Sequence, residues 1–153
     1  MNKYAIATFI FIVGGLIYVQ VVGRGQAKEF INDYARYEQA IEAIKEENGK
    51  LAIQLLNPLL EKYPNRYLLL HYLGLAYAID NDFERAVSYY DKALQQRPFL
   101  QVDPIFTLQF GEILYFKGDY AKAKVFLERS KQLNGSEPFH ERIEQLLATI
   151  NTQ

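Results

Sequence analysis

The sequence predicts an all-α protein in which one N-terminal transmembrane helix precedes a solenoid of three helical hairpins and a C-terminal capping helix. Three observations support this fold class. Apolar residues beyond Gly25 recur every three or four positions, the sequence resembles itself at a displacement of 34 residues, and an uncharged apolar run occupies residues 4–22. The first two patterns are typical of stacked amphipathic helices, and the third is typical of a bilayer span.

The composition excludes several classes of protein. The 153 residues are half hydrophobic and carry a net charge of -1, which argues against a disordered chain and against a basic nucleic-acid binder. The chain has no cysteine, so disulfides, thiolate catalysis and cysteine-ligated metals are excluded. We expect one domain with an appendage and no nucleic-acid partner.

The appendage is the run YAIATFIFIVGGLIYVQVV, from Tyr4 to Val22. At about 1.5 Å per residue a helix of this length matches a bilayer core of about 30 Å. Lys3 and Arg24 flank it with charges that are costly inside hydrocarbon. Residues 1–25 are therefore predicted to be a membrane anchor and its exit, and the protein to be a single-pass membrane protein.

Two features of this run leave alternatives open. Gly25 and Ala27 offer a weak signal-peptide cleavage pattern, although the apolar run is longer than such a peptide needs. Gly14 and Gly15 could let another membrane helix approach closely, or could simply be tolerated there. The positive charges on the two sides nearly balance, and the very short N-terminal tail favours an extracytoplasmic soluble domain.

The remaining chain is organised as a repeat. A shift of 34 residues places Ala52 on Ala86, Leu56 on Tyr90 and Pro64 on Pro98, and a shift of 37 places the next unit on its successor. Asp80-Asn81-Asp82 supplies a turn and a helix N-cap between two apolar runs. Each unit is therefore predicted to be a helical hairpin.

These units resemble the tetratricopeptide repeat family. The middle unit has the family's pattern with Leu in place of its Trp, as Leu70-x2-Leu73-Gly74-x2-Tyr77, then Ala86-x3-Tyr90 and Pro98. The resemblance implies a divergent first repeat at 33–66, a second at 67–100, a third at 104–137 and a capping helix at 138–153. It also implies a right-handed solenoid with a concave groove.

In tetratricopeptide repeats, outward positions of each first helix line the groove. Here the resemblance places in it Tyr34, Tyr37, Ile41, Leu68, His71, Leu75, Ile79, Leu108, Glu112, Tyr115 and Phe116. This set lacks the Lys, Arg and Asn with which family members clamp acidic chaperone tails. Its mostly apolar character favours a helix or an apolar peptide.

The sequence thus predicts a membrane-anchored scaffold or accessory subunit of a membrane complex, which binds a protein partner through its groove and its membrane helix. One alternative is a passive structural subunit, held by its transmembrane helix and convex surface, whose groove is unused or is covered by the capping helix or linker. An enzyme is disfavoured, because the chain has only His71 and His140 and no catalytic motif. We expect no cofactor, no metal and no small-molecule substrate.

Overall fold

A computed structural model describes residues 27–152, and these residues form helices joined by short turns, without a strand. The chain divides into two compact units between Glu38 and Gln39. Residues 27–45 are helical (α1), with the stretch up to Glu38 assigned to the first unit. The other α-helices of the second unit are α2 (Gly49–Lys62), α3 (Tyr67–Ile79), α4 (Phe83–Gln96), α5 (Pro104–Lys117), α6 (Tyr120–Gln132) and α7 (His140–Asn151). The predicted all-α class is confirmed for this part of the chain.

Short polar side chains start four of these helices. Asn48, Asp82 and Asp119 each accept a hydrogen bond from the backbone N–H three residues later, at 3.2, 3.0 and 3.2 Å. Asp103 accepts from the N–H groups of Ile105 and Phe106. These bonds satisfy donors that a helix N-terminus leaves without intrahelical partners. Consequently α2, α4, α5 and α6 begin at defined residues, which fixes the length of each turn.

Two glycines allow the helices of a hairpin to approach closely. A Cβ atom on Gly74 would lie 2.5 Å from Cδ2 of Tyr90, and one on Gly111 would lie 2.8 Å from Cγ of Leu127. Real Cβ atoms do not approach other atoms so closely, so each glycine makes room for a large side chain of the partner helix. The pairs Gly74–Tyr90 and Gly111–Leu127 therefore form the seams of α3 with α4 and of α5 with α6.

The contact of α2 with α3 uses small residues on both sides. Ala43, Ala52 and Ala76 form a buried cluster there. A Cβ on Gly49 would lie 2.5 Å from the backbone oxygen of Ala76. Backbone cannot move aside as a side chain can, so Gly49 sets how near α2 comes to α3.

The last helix is held by an apolar cluster. Its buried members come from α5, α6 and α7, and they are Leu108, Leu127, Ile143, Leu146 and Leu147. Burying such side chains stabilises the contact by about 1.5–3 kcal/mol each. α7 thus covers one side of the α5–α6 hairpin.

The membrane-anchored part of the predicted fold class is corrected. Among residues 27–152, no helix is long and apolar enough to cross a bilayer. Helices α2 to α7 have 12–14 residues, about 18–21 Å, which falls short of a bilayer core, and α1 includes charged residues such as Lys28, Asp33 and Arg36. The predicted span over 4–22, with Gly14 and Gly15, lies outside the described residues. We therefore drop the transmembrane fold and the single-pass, extracytoplasmic localisation that depended on it.

Candidate partner-binding site

The second unit contains a surface pocket of about 640 Å³ between the C-terminal turns of α3 and α5. We call it the α3–α5 pocket. Its apolar lining comes from Leu75, Ala78, Ile79, Phe83, Ile113 and Phe116, and its polar lining from Glu47, Asn81, Gln109 and Glu112. A volume of this size lies in the range of sites that take small ligands or peptide side chains.

An aromatic pair forms one wall of this pocket. The rings of Phe83 and Phe116 stack with centroids 5.7 Å apart and an interplanar angle of 20°. Phe116 is nevertheless 53% exposed. The wall is therefore ordered by stacking while still offering apolar surface to a partner.

Gln109 joins the pocket to the core behind it. Its Oε1 atom lies 3.1 Å from the hydroxyl of Tyr90 and 2.9 Å from Nε2 of His71. Because an amide oxygen only accepts, both groups donate to it. Tyr90 is fully buried, and that burial raises its pKa well above the ordinary value. The network therefore holds one face of the pocket in a fixed orientation.

Several charges around the pocket are already paired. The Arg142 guanidinium donates to Glu112 at 2.7 Å, and Lys117 Nζ lies 2.8 Å from Glu84. Pairing with Glu84 raises the pKa of Lys117. The Asp82 carboxyl accepts hydrogen bonds from the backbone N–H and from the side chain of Arg85. Both lower its pKa, and the backbone bond has the larger effect.

Four of the predicted groove residues line the α3–α5 pocket, namely Leu75, Ile79, Glu112 and Phe116. Glu112 is held toward α7 by its pair with Arg142. The other three supply much of the apolar surface. That the pocket binds a partner stays a prediction.

Three other predicted groove residues pack between helices. Leu108 is 6% exposed and lies in the apolar cluster with α7, and Tyr115 packs against the same cluster. His71 contacts the rings of Tyr90 and Phe106, with centroids 5.2 Å away in each case. These positions face the following helix, which the sequence pattern alone could not separate from a free surface.

The remaining predicted groove residues are not gathered into this pocket. Leu68, on the first turn of α3, is 42% exposed, and Ile41 on α1 is half-buried. Tyr34 and Tyr37 lie in the first unit, where their rings are 6.4 Å apart. A hydrogen bond to Glu38 raises the pKa of Tyr34.

Sequence reasoning missed several pocket residues. The predicted groove did not include Phe83, Gln109 or Ile113. Phe83 follows the Asp80-Asn81-Asp82 turn directly, so it begins α4 beside the end of α3. That position after the turn was the signal that could have placed Phe83 at the pocket.

Each of the two histidines forms a hydrogen bond with a neighbouring side chain. His71 belongs to the Gln109 network, and Nε2 of His140 lies 2.9 Å from Oγ of Ser136. Glu144, four residues after His140 on α7, forms an ion pair with Lys131. Within residues 27–152, no group of three or more His, Asp or Glu residues is arranged to hold a metal ion.

Two segments of the chain match models of the tetratricopeptide repeat, at residues 67–100 and 108–137. The predicted repeats are thereby confirmed in these segments, whereas the repeat at 33–66 and the exact unit boundaries stay predictions. No curated protein sequence matches the chain significantly.

Solved structures that share the fold include tetratricopeptide domains. The chaperone SycD of Yersinia enterocolitica, in complex with a peptide of the translocator YopD, is 20% identical with a TM-score of 0.64, over 78% of this chain and 92% of that one. The Sgt2 domain of Aspergillus fumigatus is 16% identical with a TM-score of 0.62, over 80% and 83%. The first such domain of Spaghetti, bound to the HSP90 peptide SRMEEVD, is 18% identical with a TM-score of 0.61, over 76% and 93%.

Proposed function

We propose that this protein binds a protein partner and that the α3–α5 pocket is the binding site. The observation on which the proposal depends is the exposed Phe116 in an ordered pocket lined by Leu75, Ile79 and Phe83. Exposed apolar surface is costly in water, so a contiguous patch of it commonly marks an interaction site. Binding without turnover is the proposed mechanism.

The similar structures support a peptide as the ligand. Two of them contain bound peptides, from YopD in one case and from HSP90 in the other. The HSP90 peptide SRMEEVD ends in acidic residues and a carboxylate. The α3–α5 pocket of this protein has no Lys or Arg among its lining residues, so an acidic tail is a poor ligand for it. We propose an apolar segment as the bound portion.

The chain offers a matched pair of variants to test the site. Phe116→Glu places a charge in the pocket, and Phe99→Glu places the same charge on a residue that is 73% exposed and lines a different pocket. The experiment is affinity purification from the native cell extract, followed by quantitative mass spectrometry. A partner recovered by the wild type and by Phe99→Glu but lost with Phe116→Glu supports the proposal, provided that the helicity of both variants is unchanged.

The surface around Phe99 is a second candidate. Phe99 and Val102 are 73% and 46% exposed, and with Arg129 and Leu133 they line a pocket of about 400 Å³. If Phe99→Glu removes the partner and Phe116→Glu does not, binding occurs at this second surface. The α3–α5 pocket would then be unused, as in the passive-subunit hypothesis.

A further inference from the structure

The rim of the α3–α5 pocket is acidic. A neighbouring pocket of about 480 Å³ shares Asn81, Phe83 and Phe116 with it, so the stacked Phe83–Phe116 pair separates two adjoining concavities. The charged residues that line these two pockets comprise five acids and one base, namely Glu47, Asp80, Asp82, Glu84, Glu112 and Lys117. The charged residues around the Phe83–Phe116 pair thus carry a net negative charge.

Internal ion pairs neutralise only part of this charge. Asp82 pairs with Arg85, Glu84 with Lys117, and Glu112 with Arg142. Glu47 and Asp80 form no ion pair with any residue in the described part of the chain. Two carboxylates beside the apolar wall therefore keep their full negative field, which attracts a cation on an incoming ligand.

Glu47 occupies a backbone conformation that disfavours it. Its φ angle is +56°, and the equivalent residues of the next two hairpins are Asn81, with φ +61°, and Gly118, with φ +88°. Left-handed backbone costs a residue such as Glu about 1–2 kcal/mol, whereas Gly adopts it freely and Asn tolerates it. A carboxylate at this position lowers stability and lines the pocket, a combination typical of residues retained for a binding role.

We propose that the α3–α5 pocket selects a peptide segment in which a large apolar residue is adjacent to Lys or Arg. The apolar side chain packs against Leu75, Ile79 and Phe116, and the cation pairs with Glu47 at the rim. This inference rests on the proposed function and specifies its ligand. It distinguishes the pocket from a clamp for acidic tails, because the sign of the charge on the ligand is opposite.

The test uses displayed random dodecapeptides as the probe. They are selected on the purified protein and counter-selected on Phe116→Gln, which removes the apolar ring without adding a charge, so that only pocket ligands are enriched. We expect the enriched peptides to combine an apolar core with Lys or Arg. Enrichment of neutral or acidic peptides overturns this inference but leaves the binding function standing. A failure to enrich any peptide over Phe116→Gln overturns both.

A second measurement assigns the cation to Glu47. Fluorescence anisotropy is recorded for an enriched peptide and for its Lys→Gln form, with wild-type protein, Glu47→Gln and Glu46→Gln. The wild type and the Glu46→Gln control should prefer the Lys form by roughly two- to fivefold, the range of an exposed ion pair. Glu47→Gln should lose most of this preference, because only the weaker attraction of the more distant carboxylates remains, and the wild type in molar salt should lose it as well. A preference that is undiminished in Glu47→Gln overturns the assignment.

A second copy of this chain is the competing occupant. Sedimentation of the wild type and of Phe116→Glu distinguishes the two cases. We expect the same mass for both proteins. If Phe116→Glu converts a wild-type dimer to a monomer and the peptides fail to compete, the pocket is an interface between copies, and the inference of a basic peptide is overturned.

Discussion

The two junctions on either side of α5 use equivalent positions of the repeat but different chemistry. The α3/α5 junction consists of His71, Tyr90, Phe106, Gln109 and Phe110, and a shift of 37 residues gives the α5/α7 junction of Leu108, Leu127, Ile143, Leu146 and Leu147. The first junction encloses a hydrogen-bonded polar network, whereas the buried residues of the second are all aliphatic.

The difference shows what a repeat position determines. Each of these positions takes part in the contact of a hairpin with the next hairpin or with the last helix, whatever residue occupies it. The residue type is free to change provided that buried polar groups find partners, and in the described residues no buried side-chain N or O atom lacks one. α7 therefore occupies the place of the first helix of a further repeat. The variants below test how far the two junctions are equivalent, from the largest expected effect to the smallest.

The largest effect is expected in the aliphatic junction. Ile143→Asp buries a carboxylate where the side chain is fully enclosed, and it should lower the free energy of unfolding by about 4 kcal/mol or more. Ala148→Asp, on an exposed position of α7, is the control and should cost less than about 1 kcal/mol. Urea unfolding followed by circular dichroism measures both. Equal losses would show that α7 is not held by this cluster.

The polar junction should respond to the loss of its acceptor. Gln109→Leu leaves the donors of His71 and Tyr90 without a partner, and should cost about 1–3 kcal/mol of unfolding free energy. The triple variant His71→Leu, Tyr90→Phe, Gln109→Leu removes the donors too and imitates the aliphatic junction. Its stability should return to within about 1 kcal/mol of the wild type, since deleting all partners together is nearly neutral. Losses that simply add would contradict the equivalence.

The junctions also show how much the sequence could predict. Helical periodicity and the 34-residue displacement predicted the hairpins and the repeats, because they depend on local spacing and on the pairs Gly74–Tyr90 and Gly111–Leu127. The lining of the α3–α5 pocket was predicted only in part, with four of its residues among the predicted groove. Family position placed His71 and Leu108 in the groove, but both are covered by the following helix. Whether such a residue is covered depends on the helix that packs against the repeat from the next hairpin. The spacing of residues within one repeat does not determine this.

The sequence pattern also could not predict hydrogen bonds between residues that are far apart in the chain. Ser130, which the 37-residue shift aligns with the buried Ala93, donates to the carbonyl oxygen of Pro104 at 2.8 Å. Gln109 similarly satisfies Tyr90 from the next hairpin. Such partners depend on the side-chain orientations of both hairpins. A polar residue at an apolar repeat position therefore indicates that some partner exists without saying which.

The two junctions should differ in their response to pH. Burial lowers the pKa of His71 below its ordinary 6.5, against smaller opposing effects of the Gln109 hydrogen bond and the Asp103 carboxylate. As the pH falls through about 6.5 the unfolded chain binds the proton first, so stability is full above this pH and declines below it.

For one proton the slope of this decline is at most about 1.4 kcal/mol per pH unit. His71→Leu introduces the residue that the aliphatic junction has at the equivalent position, Leu108. In this variant the urea midpoint should no longer fall between about pH 7.5 and about pH 5.5. His140→Gln is the matched control and should leave the slope in place. If the pH dependence of stability persists in His71→Leu but disappears in His140→Gln, the titrating group lies on α7 and not in the polar junction.

The smallest effect concerns the turns that precede α2, α4 and α6, where Glu47, Asn81 and Gly118 adopt the same left-handed backbone. Gly118 is free of strain there and Glu47 is not, so Glu47→Gly should raise the free energy of unfolding by about 1 kcal/mol. Glu46→Gly changes a neighbour without positive φ and should lower stability instead. Thermal unfolding of both variants gives the comparison. If Glu47→Gly is destabilising, the side chain of Glu47 stabilises the fold by more than the backbone strain costs. The strain would then no longer favour a binding role for Glu47.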